Sequence, residues 1–166
     1  MSDVLAKEII NELCGVFTEA GLDASVEDVD GSDVLAVNYD EESEVEDGNV
    51  IITHYDDILT VFVTVTVWSG LEGKERTDIA ALVPYMNRFL DIGSICLDDE
   101  SGDLEFRYSF IAIDTIDREK LLKIISIAYG TAESTAAEAA GITAPVLSGE
   151  KPVSGLLNEE SEIIQF

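Results

Sequence analysis

The chain has 166 residues, 46% of them apolar, and its 35 Asp and Glu against nine Lys and Arg give a formal net charge of −26. This length and apolar content suffice for one domain whose core needs neither metal nor disulfide. Phosphate backbones and anionic membranes repel so negative a surface, so we expect no direct nucleic-acid partner and no membrane partner. The start of the sequence lacks the basic and apolar pattern of a signal peptide, which predicts a cytoplasmic protein.

The first half of the sequence predicts a helix followed by three antiparallel strands. Apolar residues from Leu5 to Ala20 recur at spacings of three and four, so they share one helical face, and Gly21 suits the helix end. The period then changes to two, which predicts the strands Val34–Tyr39, Asn49–Tyr55 and Ile58–Trp68. Charge repulsion favours an exposed loop over the acidic stretch between the first two strands.

The second half predicts a helix, a hairpin and a last helix. Helical spacing runs from Ile79 to Leu90, the hairpin strands are Ser94–Leu97 and Leu104–Ile113, and Asp117 caps a helix that ends at Gly141. The predicted fold is therefore α+β, in the order α-β-β-β-α-β-β-α, with an antiparallel sheet and helices packed mainly on one face. We expect a single domain over residues 1–141. Residues 142–166 form a linker-like acidic and apolar tail that either docks on the domain or orders on a partner.

Residues that carry catalysis or bind metals are scarce in this sequence. The single histidine, His54, precedes two aspartates at a strand end, and the sequence has no nucleophile elbow, phosphate loop or zinc motif. The acidic turn from Asp98 to Asp103 misses the spacing of a calcium loop. Cys14 and Cys96 are expected to be buried thiols in a reducing cytosol, and a disulfide between them is the alternative. We therefore predict a protein that is not an enzyme and has no cofactor and no metal site.

The strand Ile58–Trp68 carries the one candidate binding surface. Its valines and Leu59 alternate with threonines and aromatics, so the two sets point to opposite faces of the sheet. If the second face is not covered by helices, its aromatics form a patch of the kind that marks an interface; otherwise the tail or a helix covers them. The predicted protein-binding residues are Thr60, Phe62, Thr64, Thr66 and Trp68.

The middle helix and the hairpin carry a family resemblance. The stretch Met86–Asp98, with Asn87 near the helix end, is followed by the Gly102-Asp103 turn and a longer strand through Tyr108. This arrangement, together with the element order over residues 3–140, resembles the type III secretion chaperone-like fold and, within it, the YbjN domain family. The resemblance implies a small acidic protein that is often dimeric and holds a protein segment. The family supplies no catalytic residues, and its YbjN-like members are candidate regulators without a settled activity.

Two functions follow from these observations. The first is a non-enzymatic protein-binding module, chaperone-like or regulatory, that acts as a homodimer. The alternative is an acidic mimic that occupies a basic site on a nucleic-acid-binding protein, because the net charge is −26. A cation-dependent ligand sensor is a third class, but it needs a pocket that the sequence does not predict.

Overall fold

The computed structural model describes residues 4–159 of the chain. The elements, in chain order, are α1 (Val4–Glu19), β1 (Asp23–Val29), β2 (Ser32–Asn38), β3 (Asp47–Tyr55), β4 (Ile58–Trp68), α2 (Gly73–Asn87), β5 (Ser94–Leu97), β6 (Leu104–Ile113), α3 (Arg118–Leu147) and α4 (Val153–Glu159). The predicted α+β class is confirmed, with one strand and one short helix more than expected. None of the helices described here is both long and apolar enough to cross a membrane.

The six strands form one antiparallel sheet in the order β1-β2-β3-β4-β6-β5. The first four strands are sequential neighbours, and β6 then pairs with the far side of β4, which leaves β1 and β5 at the two edges. Strand β1 was not predicted from the sequence. Three of its seven residues are acidic, so the alternation of apolar and polar residues that identifies a strand is not visible. Its turn to β2 is Asp30-Gly31, and both residues have positive φ, of 53° and 83°. An Asp-Gly pair with this backbone is a strong hairpin signal.

The helices cover one face of the sheet, and the core lies between. On β4 the side chains of Leu59, Val61, Val63 and Val65 are at most 1% exposed, and the same alternation continues on β3 and β6. Opposite them lie the apolar stripes of α1, α2 and α3, which include Ile9, Leu13, Ile79, Leu82, Ile125 and Ala132. This arrangement confirms the predicted one-sided packing.

Tyr129 of α3 lies at the centre of this layer and packs against the backbone of β3. Its ring contacts Phe17 of α1, with 4.9 Å between ring centroids, and its hydroxyl lies 2.9 Å from the hydroxyl of Tyr39. Burial raises the pKa of both tyrosines, so both hydroxyls stay protonated. A Cβ at Gly48 would lie 2.0 Å from the Tyr129 hydroxyl oxygen. Position 48 therefore has room for glycine but not for a residue with a side chain.

The helix predicted to end at Gly141 continues to Leu147, and α4 follows it. Val153 and Leu156 of α4 pack against the hydrophobic core, on the side of α2. The described part of the predicted tail therefore packs on the domain as helix. The rest of the predicted tail, residues 160–166, lies outside the described residues.

One-sided packing predicts opposite sensitivities at neighbouring positions of β4. Val63→Asp places an unpaired charge in the apolar layer, so we expect it to cost about 4 kcal/mol of unfolding free energy or more. Thr64→Asp, whose side chain points to the uncovered face, should cost about 1 kcal/mol or less. Guanidinium denaturation followed by circular dichroism measures both. Similar losses at the two positions would contradict a sheet covered on one face only.

The contact between Gly48 and Tyr129 predicts a coupled pair. Gly48→Ala should destabilise the protein by about 2 kcal/mol, because the added methyl group overlaps the Tyr129 hydroxyl. In a Tyr129→Phe background, which removes that hydroxyl, the same substitution should cost clearly less. A double-mutant cycle from denaturation curves gives the coupling free energy. Additive effects would show that the methyl group is accommodated by backbone movement and not by the tyrosine.

Candidate protein-binding surface

The candidate surface is the sheet face opposite the helices. Strand register places Phe62 of β4 between Ile51 of β3 and Ser109 of β6, and the two following rows continue towards the β3–β4 turn. We call these three rows the open-face patch. Its members are Ile51, Phe62, Ser109, Thr53, Thr60, Ile111, Tyr55, Ile58 and Ile113.

The open-face patch exposes large apolar side chains. Tyr55 is 79% exposed, Ile111 71% and Ile113 59%, while Phe62 and Ile58 are each 42% exposed. None of the patch residues is charged, although 27% of the chain's residues are. Contiguous apolar surface on a soluble domain marks a site of interaction, because exposing it to water is unfavourable. A charge-free area within so acidic a chain is therefore the candidate contact surface.

Charged residues begin where the patch ends. The next row across the sheet is Asn49, Thr64 and Arg107, and the row after it is Asp47, Thr66 and Glu105. Next to Arg107, a shallow groove of about 390 Å³ follows the β4, β6 and β5 strands. On the open face it is lined by Phe62, Thr64, Ser94, Cys96, Arg107 and Ser109. Apolar and polar parts of the face are therefore arranged side by side.

Thr66, predicted to belong to the binding surface, is buried. It is 5% exposed, and its hydroxyl donates a hydrogen bond of 2.7 Å to the carboxylate of Asp47 on β3. The backbone of Thr66 is also bonded to the segment before β3, because the amide of Glu46 donates to the Thr66 carbonyl at 2.9 Å. Thr66 therefore holds the start of β3 against β4, and its side chain is not available to a partner.

Trp68 lies on the helix side, and its predicted place on the open face is wrong. Thr66 pairs with Glu105, whereas Trp68 pairs with Leu104, so Val67 is an extra residue on β4. Such a bulge reverses the side-chain alternation from that point. The indole Nε1 donates a hydrogen bond of 2.8 Å to the hydroxyl of Thr143 on α3. Trp68 thus joins the sheet to the last turns of α3.

Of the five predicted binding residues, Thr60, Phe62 and Thr64 are accessible on the open face, whereas Thr66 is buried there and Trp68 lies on the helix side. Sequence analysis missed Ile111 and Ile113, which are both more exposed than Phe62. Their signal was present, because they continue the alternation of Glu105, Arg107 and Ser109 on β6. What the sequence did not give was the pairing of β6 with β4, which brings these side chains beside Thr60 and Ile58.

In the acidic β5–β6 turn, the carboxylate of Asp98 accepts hydrogen bonds from backbone amides of the same turn. The amides of Ser101 and Glu100 donate to the Asp98 carboxylate at 3.0 and 2.9 Å, and Arg107 donates to it at 3.3 Å. These donors lower the pKa of Asp98 to about 2. Within residues 4–159, no three potential metal ligands lie together. The two amides and Arg107 hold the turn that connects β5 to β6.

The remaining reactive side chains lie apart from one another. The Nε2 of His54 is 3.5 Å from a carboxylate oxygen of Asp114, at the end of the sheet. Cys14 and Cys96 are both free thiols, as expected, but each is only partly buried. Cys14 donates to the carbonyl of Ala24, and Cys96 lies 3.3 Å from the Ser94 hydroxyl.

Fold and surface together define an α+β domain whose antiparallel sheet is covered by helices on one face and open on the other. Among solved structures, YbjN from E. coli, a candidate transcription regulator, matches with a TM-score of 0.54 and 14% identity, over 79% of this chain and 87% of that one. An uncharacterized protein from Methanothermobacter thermautotrophicus matches with a TM-score of 0.42 and 13% identity, over 87% of this chain and 98% of that one. No family model matches the chain, and no curated protein matches it.

At 14% identity the match to YbjN concerns the fold alone. The chain has a YbjN-like fold, which confirms the resemblance expected from the middle helix and the hairpin. A link to secretion chaperones stays a prediction.

Alanine substitutions of the two aromatic residues predicted for the interface should differ in how much they lower the free energy of unfolding. Trp68→Ala removes the contact with α3 and the bond to Thr143, so we expect it to cost about 3 kcal/mol of unfolding free energy. Phe62→Ala, on the open face, should cost about 1 kcal/mol. Thermal or guanidinium unfolding measures both, with Ile127→Ala on the exposed side of α3 as the control. A Phe62 variant as unstable as the Trp68 variant would place Phe62 in the core.

Proposed function

We propose that this protein is a non-enzymatic protein-binding module, chaperone-like or regulatory, which works in the cytoplasm and uses the open-face patch as its contact surface. The observation that carries the proposal is the uncharged, apolar character of the patch in a chain of net charge −26. The likeness to YbjN, a candidate transcription regulator, supports a regulatory role without naming a partner. The single histidine and the separate positions of His54, Cys14 and Cys96 support a role without catalysis.

A second copy of the chain is the first partner that the patch suits. A two-fold contact buries the same surface on both copies, and rows of threonine, isoleucine and aromatic side chains complement themselves. The opposing force is repulsion between two chains of charge −26. Apolar burial offsets this repulsion only over an interface of standard size, about 1,200 Å² or more in total. Screening by salt should then strengthen the homodimer.

Photo-crosslinking from the patch tests the proposal directly. A benzophenone amino acid replaces Phe62, which is 42% exposed, in one variant and Ile127, an apolar residue of α3 that is 60% exposed, in the other. After irradiation in extracts of the source organism, we expect protein adducts from position 62 in clear excess over position 127, because only position 62 lies in a contact surface. Mass spectrometry of the adducts separates a second copy from another protein.

Equal yields at the two positions, or no adduct from position 62, would contradict the open-face patch as a binding surface. Sedimentation equilibrium at 50 mM and 500 mM NaCl tests the homodimer separately. A monomer under both conditions would remove the homodimer from the proposal and leave other partners to be identified from the adducts.

The acidic mimic is kept as a second candidate because of where the carboxylates lie. Glu41, Glu42 and Glu44 of the loop before β3 are all exposed, and the β5–β6 turn adds a second acidic tip. A basic site on a nucleic-acid-binding protein would contact these loops and not the patch. Its affinity would fall steeply with salt, whereas a contact through the apolar patch persists in high salt.

A further inference from the structure

The outer edge of β6 is unpaired over more than half of its length. β6 spans Leu104–Ile113, but the edge strand β5 pairs only with its first four residues, ending at the pair Ser94 and Arg107. From Tyr108 to Ile113, among residues 4–159, no strand pairs with this side of β6. An antiparallel strand with one paired side leaves alternate N–H and C=O groups directed outward on the other side. The sheet therefore ends in an unpaired edge about six residues long, at the end of which the Ile113 carbonyl accepts a hydrogen bond of 3.1 Å from the Ile116 amide.

This edge lacks the features that usually protect edge strands. Charged residues, proline and bulges normally keep an open edge from pairing with another chain. The segment Tyr108-Ser109-Phe110-Ile111-Ala112-Ile113 has no charge and no proline. By contrast β1, the edge strand at the far side of the same sheet, carries Asp23, Glu27 and Asp28. Only one of the two edges is thus left open to pairing.

The side chains along the edge are suited to contact an added strand on both sides of the sheet. Tyr108 and Phe110 lie on the helix side, half-buried, with 5.8 Å between their ring centroids. Ile111 and Ile113 lie on the other side and belong to the open-face patch. An added strand would cover both sets and would continue the apolar surface of the patch.

Negative charge lies at both ends of the open edge. At the Ile113 end, the amide of Asp114 bonds to the carbonyl of Asp57 at 2.9 Å, which brings the Asp56-Asp57 turn beside Asp114. At the other end, one guanidinium, that of Arg107, is shared by the carboxylates of Glu105 and Asp98 at 2.7 and 3.3 Å. An uncharged strand flanked by basic residues complements this pattern, whereas a second copy of the chain would place acids against acids.

We propose that the open edge of β6 binds an extended segment of a partner protein, uncharged at its centre and flanked by Lys or Arg, as an added antiparallel strand. The inference rests on the proposed function, since it assumes that the chain binds a protein. It adds the position, the backbone geometry and the charge of the partner segment. Main-chain hydrogen bonds supply affinity in such strand addition, and the flanking charges supply selectivity.

Synthetic peptides test the backbone and charge requirements together. The probe has three Thr-Val repeats between two Lys-Lys pairs. The first comparison peptide is N-methylated at alternate residues, which removes the donors that an added strand needs, and the second has Glu-Glu pairs at its ends. We expect the probe to bind, with affinity at least about tenfold above either comparison peptide at 100 mM NaCl, measured by fluorescence anisotropy. Amide NMR should show the largest changes over residues 108–113.

Matched protein variants locate the site. Ile111→Lys puts a cation at the open edge and should lower affinity for the basic probe at least about tenfold. Ile127→Lys, an isoleucine of similar exposure on α3, makes the same change in net charge and should leave the affinity nearly unchanged. Both positions are exposed, so both variants should fold, and circular dichroism checks this.

Three outcomes would overturn the proposal. Equal binding of the N-methylated peptide would show docking through side chains on the open-face patch, which keeps the proposed function and removes strand addition. Equal effects of the two lysine variants would show a general charge effect. A dimer that Ile111→Lys dissociates, with no peptide binding by the parent, would show that a second copy occupies the edge.

Discussion

The packing of α3 across β4 is the contact on which the rest of the structure depends. It joins a helix from Arg118 to Leu147 to the central strand of the sheet, whose inward side chains are almost completely buried. The contact is close because Gly48 has no side chain where Tyr129 meets β3, and because the indole of Trp68 turns inward to bond to Thr143. Since the helices gather on this side, a single core forms and the opposite side of the sheet receives no cover from them.

An uncovered face has consequences for where charge and apolar surface can lie. The acids are concentrated in loops, turns and the edge strand β1, where water and a few cations can offset their repulsion. The centre of the open face is left to threonine, isoleucine and aromatic residues, which form strands well and tolerate partial exposure. The same segregation gives the surface its two proposed properties, an apolar area for contact and a negative rim that selects basic partners.

The face and the open edge of β6 are parts of one surface, because Ile111 and Ile113 belong to both. A partner strand added beside β6 would extend the sheet. Residues of the partner that flank this strand would then be able to fold over the open face and contact Phe62 and Thr60. A contact of this kind combines backbone pairing, which gives geometry, with apolar burial, which gives affinity. Such a contact would let an acidic domain with few cations bind protein without relying on salt bridges alone.

The sequence by itself determined most of the local elements, though not β1 and α4, and the faces of the regular strands. Alternation on β4 placed Thr60, Phe62 and Thr64 opposite the buried valines, and helical spacing identified the stripes of α1 and α3, because both depend on residues close together in the chain. The bulge at Val67 was not predictable from alternation, since one extra residue reverses every side chain beyond it and leaves no mark in composition. The pairing of β6 with β4, and the pairing of the short β5 with only the first four residues of β6, are contacts between distant segments. Only the tertiary structure decided them, because the strand order that creates an edge depends on which segments pack together and not on the residues of any one strand.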